Sequence, residues 1–209
     1  NGHASNAPRY GERPRTGLPK NRVPCPAVTA ADHGPDPITE LALHARRGDP
    51  AAQAAFVRAT QAEVWRFTAA VVDPGAADDL TQETFLRAFQ ALPGFEARSA
   101  VRTWLLGIAR RTCADHLRAV VRRRRLDVRL AAQAWTDVPQ PDPAHRLSAE
   151  DLLARLSDER RTAFVLTQVL GLSYAEAAQV EDVPVGTIRS RVARARDDLM
   201  TAVAEARAS

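Results

Sequence analysis

The sequence predicts an all-α protein: an N-terminal helical bundle and a C-terminal helix-turn-helix domain joined by a flexible linker. Two observations predict it. Hydrophobic residues make up 45% of the 209 residues but aromatics only 5%, so the core must come from Leu, Val and Ala, a composition that favours helices over a β-sandwich. Apolar residues also recur at helical spacing in two blocks, Ile38 to about Arg125 and Ser148 to about Ala206, with an aperiodic stretch between them. A chain of this length has room for one or two compact domains.

Residues 1–37 carry seven of the fourteen prolines and no apolar periodicity, which predicts a disordered extension. A first helix is expected near Thr39 to Arg47, before Gly48-Asp49-Pro50. The second runs from Ala51 to about Val72, with Phe56, Val57, Val64, Phe67 and Val71 on one side. The third covers Ala76 to Ala91, closed by Pro93-Gly94. The fourth starts near Ser99 or Thr103 and continues past Leu117, completing a bundle over residues 38–125. In residues 126–147 the periodicity fades and Pro139, Pro141 and Pro143 alternate, the mark of a linker. Helices resume over Ala149 to Leu156, Asp158 to Leu170, Ser173 to Val180 and Pro184 to about Ala206, the second domain (148–206).

Charge is unevenly spread. Between Arg98 and Arg129 ten arginines face only Asp115 and Asp127, a local charge of +8 in a chain whose net charge is +4. Such a block points to a polyanionic partner. Cys25 and Cys113 lie far apart with no CxxC or His/Cys cluster, which excludes a disulfide framework and predicts no metal site. No glycine loop for a nucleotide and no carboxylate pair with a base is present, so no catalytic residues and no cofactor are expected. No stretch reaches the roughly 18 apolar residues of a membrane span, and the reading is a cytoplasmic protein without membrane insertion.

Three segments carry chemistry. In "GLSYAEAAQVEDVPVGTIRSRVARARDDL", Ser173 and Glu176 have capping-box spacing and Pro184 suits the first turn of the next helix. Two helices across so short a turn form a helix-turn-helix. At about 100° per residue, Ile188, Val192, Ala195 and Leu199 share a core-facing arc. Gly186, Thr187, Ser190 and Arg194, flanked by Arg189 and Arg191, face outward with groups suited to phosphates and base edges. The alternative is a solvated amphipathic helix. In "RTWLLGIARRTCADHLR", Trp104, Arg111, Asp115 and Arg118 form a stripe that fits single-stranded DNA if the ring is exposed, or an ordinary solvated face if Trp104 packs inward. The preceding loop offers Phe95, Arg98 and Ser99, suited to an extruded base. In "DDLTQETFLRAF", Asp78 and Asp79 suit a helix N-terminus. Leu80, Phe85, Leu86 and Phe89 should pack inward there, leaving Asp79, Gln82, Glu83 and Arg87 on a polar face.

Taken in order, these three segments resemble the extracytoplasmic-function (ECF) sigma factors, the two-domain class of the sigma-70 family, over about residues 37–206. The resemblance implies an alternative sigma factor. Asp78, Asp79, Leu80, Thr81, Gln82, Glu83, Phe85 and Arg87 would dock on the clamp helices of the β′ subunit of core RNA polymerase. Phe95, Arg98, Ser99, Arg102, Trp104, Arg111, Asp115 and Arg118 would take the −10 element as single-stranded DNA. Tyr174, Gly186, Thr187, Arg189, Ser190, Arg191, Arg194 and Arg196 would meet the −35 duplex, with the β flap as the second domain's polymerase contact. The linker would thread toward the polymerase active-site cleft, and an anti-sigma factor is a further partner the family suggests. Arg111 and Asp115 stand where many members carry Asn, so a −10 sequence is not carried over.

Overall fold

The computed structural model describes residues 36–131 and 148–208. Residues 1–35 of the expected disordered extension and most of the expected linker fall outside the described residues; Asp36 and Pro37, counted in that extension, instead cap and open the first helix. All elements among these residues are helical.

Two Asp-Pro pairs start the first two helices. Asp36 accepts from Ile38 N at 3.1 Å ahead of α1 (Pro37–Arg46). Asp49 accepts from Ala51 N at 2.9 Å ahead of α2 (Pro50–Val71). In each, the aspartate satisfies an orphan N–H while proline occupies a position that needs none. Gly48 turns the chain between them at φ 87°, where a Cβ is penalised. Helix α3 (Ala77–Ala91) has no side-chain cap and leads through a 3-10 turn, Leu92–Gly94, to the loop before α4.

Helix α4 runs from Val101 to Ala131, six residues into the stretch expected to be linker. Residues 126–131, Leu-Asp-Val-Arg-Leu-Ala, contain no glycine or proline, so nothing in them stops a helix already propagating. The bundle core joins Phe56, Val64 and Phe67 of α2 to Phe85 and Ala88 of α3 and Leu105, Leu106 and Ala109 of α4. Phe56 and Phe85 meet edge to face, with centroids 6.3 Å apart. Each fully buried Phe or Leu contributes about 1.5–3 kcal/mol.

In the C-terminal half, α5 (Ala149–Ala154) opens with a Ser148/Asp151 capping box. Helix α6 (Asp158–Phe164) continues as a π-helical segment, Val165–Val169, where the sequence predicts one regular helix to Leu170. Leu170 N donates to Val165 O at 2.9 Å, five residues back, which widens the turn by one residue. Gly171, at φ 73°, ends it. Helix α7 (Tyr174–Glu181) starts at the Ser173/Glu176 capping box and ends at Asp182, held left-handed at φ 55°. Helix α8 (Val185–Ala208) follows.

The two helical groups share one continuous buried cluster. Arg161 of α6 donates to Val71 O, at the end of α2, at 2.8 Å, and Arg102 of α4 donates to Leu170 O at 2.6 Å.

Candidate nucleic-acid and polymerase interface

The polar face of α3 is exposed at Asp78, Asp79 and Gln82 and half-buried at Thr81, Glu83 and Arg87. Asp78 accepts from the indole N–H of Trp65 at 2.8 Å, which places a 39% exposed ring of α2 beside the acidic helix start. Leu80 and Phe85 are buried, 5% and 8% exposed. They hold α3 on the bundle and leave little side-chain surface for the docking contact expected of them. Leu86, expected inward, is 60% exposed. It falls between the buried positions 85 and 88, and the arc that α3 buries against α2 and α4 is too narrow to include it.

Arg87 links α3 to the basic helix. Its Nε donates to Glu83 Oε1 at 2.7 Å and one NH1 hydrogen goes to Asp115 Oδ2 at 2.7 Å. Arg118 NH2 donates to Asp115 Oδ1 at 2.5 Å. Hydrogen bonds from Arg87 and Arg118 hold the Asp115 carboxyl below the usual carboxylate range.

Along the rest of the −10 stripe, Arg111 is exposed and Trp104 half-buried. Trp104 lies over Phe95 with ring centroids 4.9 Å apart. Phe95 itself is 4% exposed, so it is the floor under Trp104 and not the free stacking surface expected of it. Its carbonyl accepts from Arg46 NH1 at 2.7 Å, which ties the loop to α1. Gly94, Phe95, Glu96, Arg98, Ser99 and Trp104 line an open cleft of about 270 Å³, whose rim carries the Arg98–Glu96 ion pair. Arg102, expected among the DNA-facing residues, is engaged within the chain. Its guanidinium is committed to the Glu63 carboxylate and to Leu170 O, and the Glu63 bond raises its pKa. It braces α2, α4 and the turn before α7.

The recognition helix has the expected face. Ile188, Val192 and Ala195 are at most 1% exposed, while Gly186, Arg189, Ser190, Arg194 and Arg196 lie outward and Thr187 is half-buried. Tyr174 packs against the core cluster at the start of α7. Three outward groups are already engaged within the chain. Ser190 Oγ donates to Thr187 O at 2.9 Å, Arg196 NH2 donates to Gln168 Oε1 at 2.7 Å, and Arg191 is paired with Glu181. Glu181 is 2% exposed and its Oε1 has no hydrogen-bond partner. Burial pushes its carboxyl up, against the pull of Arg191 and Arg110. Arg189 and Arg194, in the half of α8 nearest the turn, have no ion-pair partner among the described residues.

That arrangement coincides with known sequence families. The family profile described as "Sigma-70 region 2" matches residues 56–124, and "Sigma-70, region 4" matches residues 146–199. The "Probable RNA polymerase sigma-C factor" of Mycobacterium bovis is 50% identical over 179 residues, covering 83% of this chain and 95% of the relative. This chain belongs to the ECF sigma factors of the sigma-70 family. The "ECF RNA polymerase sigma-E factor" of Haemophilus influenzae is 34% identical, covering 77% of this chain and 93% of that one. Among solved structures, CnrH in complex with the cytosolic domain of CnrY aligns with a TM-score of 0.62 at 25% identity, covering 81% of this chain and 99% of that one. The RpoE–NepR complex of Bartonella quintana, a sigma factor with its anti-sigma factor, aligns at 0.54 with 26% identity, covering 69% of this chain and 92% of the match. This sigma factor binds core RNA polymerase and directs promoter-specific transcription.

Three residues that brace the site carry no signal in the sequence. Glu63, Trp65 and Glu181 act on partners on other helices, and their local patterns read as ordinary polar or apolar helix positions. The Glu83–Arg87 pair is the exception, because its four-residue spacing predicts a bond on one helix face.

Proposed function

We propose a division of labour between the two halves of this sigma factor. Residues 38–125 dock on core polymerase through the exposed face of α3, with Asp78, Asp79, Gln82, Glu83 and Arg87 as contacts, and take the −10 element as single-stranded DNA along Trp104, Arg111 and the cleft beside Arg98 and Ser99. Residues 148–206 read the −35 duplex through α8, with Arg189 and Arg194 toward the major groove and Thr187 near phosphates. The observation that carries the reading is the outward face of α8, where Ser190 and Arg194 lie across from the buried Ile188–Val192–Ala195 arc with Arg189 at the flank, neither arginine having an ion-pair partner among the described residues.

The protein acts by binding and not by catalysis. Docked on polymerase, it holds a duplex reader and a single-strand reader in one assembly. Preferential binding of melted −10 bases then shifts the promoter toward the open state. Anti-sigma control of this chain is a partner proposal supported by the complex of RpoE with the anti-sigma factor NepR. No helix among the described residues is long and apolar enough to cross a membrane, in keeping with work beside polymerase in the cytoplasm.

The test is transcription in vitro with core polymerase and genomic fragments, with the 5′ ends mapped. The expected result is a set of start sites sharing two upstream motifs at constant spacing. The Arg189→Ala/Arg194→Ala protein should lose selection for the upstream motif while still binding core polymerase. Unchanged start sites with this variant refute the assignment of α8.

A further inference from the structure

We infer that Asp115 is a positioning residue for polymerase docking, which holds Arg87 of α3 in place from across the bundle, and not a reader of −10 bases. The inference rests on the reading of α3 as the docking face.

A carboxylate reads a base by accepting from an exocyclic amine. Both oxygens of Asp115 already accept, Oδ2 from Arg87 at 2.7 Å and Oδ1 from Arg118 at 2.5 Å. Each oxygen keeps a further acceptor site, but a base would meet there a carboxylate whose charge is already neutralised and whose plane is fixed by the two arginines. An ionised Asp released from both arginines on a DNA-facing helix would also repel phosphates. Charge at this position therefore has a use where it is neutralised, between α3 and α4.

Arg87 gains most from that arrangement. A guanidinium has five N–H donors in a fixed plane. Nε is committed to Glu83 within α3 and one NH1 hydrogen to Asp115 of α4, 28 positions along the chain. Two anchors on different helices fix the plane, while NH2 has no partner among the described residues and the side chain remains 37% exposed. The cost of ordering a long side chain, usually met on binding, is already met in the free protein. The free edge suits a carboxylate on the polymerase surface. The same carboxylate ties Arg118, so one residue orders cations at both the docking face and the DNA-facing helix.

The experiment compares full-length wild type, Asp115→Asn, Asp115→Glu, Arg87→Ala and the Asp115→Asn/Arg87→Ala double variant. Affinity for core polymerase is measured by fluorescence anisotropy, and start sites are mapped on a library randomised across the −10 element. Asp115→Asn should weaken polymerase binding about two- to fivefold, with Asp115→Glu restoring most of it. In the Arg87→Ala background Asp115→Asn should have no further effect on polymerase affinity. The −10 base preference should stay that of wild type. A changed base preference for Asp115→Asn overturns the inference in favour of direct reading. So does an undiminished effect in the Arg87→Ala background, or wild-type polymerase affinity for Asp115→Asn where Arg87→Ala is weak. If Arg87→Ala binds polymerase as wild type does, the docking assignment of α3 is wrong and this inference falls with it.

Discussion

Replacing Arg161 with alanine should destabilise the protein by about 3 kcal/mol, although the residue lies in none of the binding faces. Its side chain is 9% exposed and donates to four carbonyls: Leu153 at 2.8 Å, Ala154 at 3.0 Å, Leu156 at 3.1 Å and Val71 at 2.8 Å. Truncation strands all four, but with unequal consequence. Bonds to Leu153 and Ala154 are part-buried, so water reaches those carbonyls and the net loss there is small. Bonds to Leu156 and Val71 are buried, and each stranded carbonyl costs about 1–3 kcal/mol. Relief of a buried guanidinium with no carboxylate partner offsets part of that sum, leaving about 3 kcal/mol. For a chain of this size the melting temperature should fall by about 6–12 °C. Urea unfolding followed by circular dichroism measures the free energy, and a thermal scan measures the shift. Arg161→Lys should fall between the two, because an ammonium has three donors and no plane to span two helices and a turn. A loss below about 0.5 kcal/mol for Arg161→Ala, the range of ordinary surface substitutions, would refute the reasoning that the buried carbonyls depend on this side chain.

Other substitutions test single contacts. Ser173→Ala removes the side-chain acceptor for Glu176 N at 3.2 Å and should cost about 1 kcal/mol in unfolding experiments, with −35 duplex affinity lowered because α7 sets the position of α8. Arg194→Ala should relax base selection in a −35 duplex at a cost of about 1–3 kcal/mol in affinity, whereas Arg191→Ala, whose guanidinium is held by buried Glu181, should change selection less and stability more. At Glu181 burial raises the folded pKa, so the native state binds more protons than the unfolded chain in the window above the ordinary glutamate value. The stability difference between wild type and Glu181→Gln should therefore decline as pH rises through that window and level off above it. Asp115 runs the other way: its folded pKa is lowered by Arg87 and Arg118, so its contribution is present above the ordinary aspartate value and is lost as pH falls through the folded one. Unfolding curves of Asp115→Asn against wild type from neutral to acid pH check that sign.

Much of this sigma factor was legible in the sequence because the signals are local. The Ile188–Val192–Ala195 arc and the Ser173/Glu176 capping box depend on spacing along one helix, which the backbone period converts directly into a face. The free arginines on α8 follow from the same period. Helix ends were less legible where no residue enforces a stop: α4 runs on to Ala131, and α6 widens into a π turn that no local residue announces. Leu86, exposed beside buried Phe85, shows that period sets a residue's bearing on the helix but not how much of the circumference the neighbours cover.

What only the tertiary structure decided is which polar groups remain free. Arg102 and Arg191 resemble Arg189 and Arg194 in sequence, yet the first two are committed to Glu63 and Glu181 on other helices. Phe95 looked available to a base and lies instead beneath Trp104. Asp115 read as part of a DNA stripe, and its carboxylate reaches back to α3. Spacing along a helix assigns faces, but an ion pair between helices depends on the distance across the bundle, which packing sets and no single segment contains.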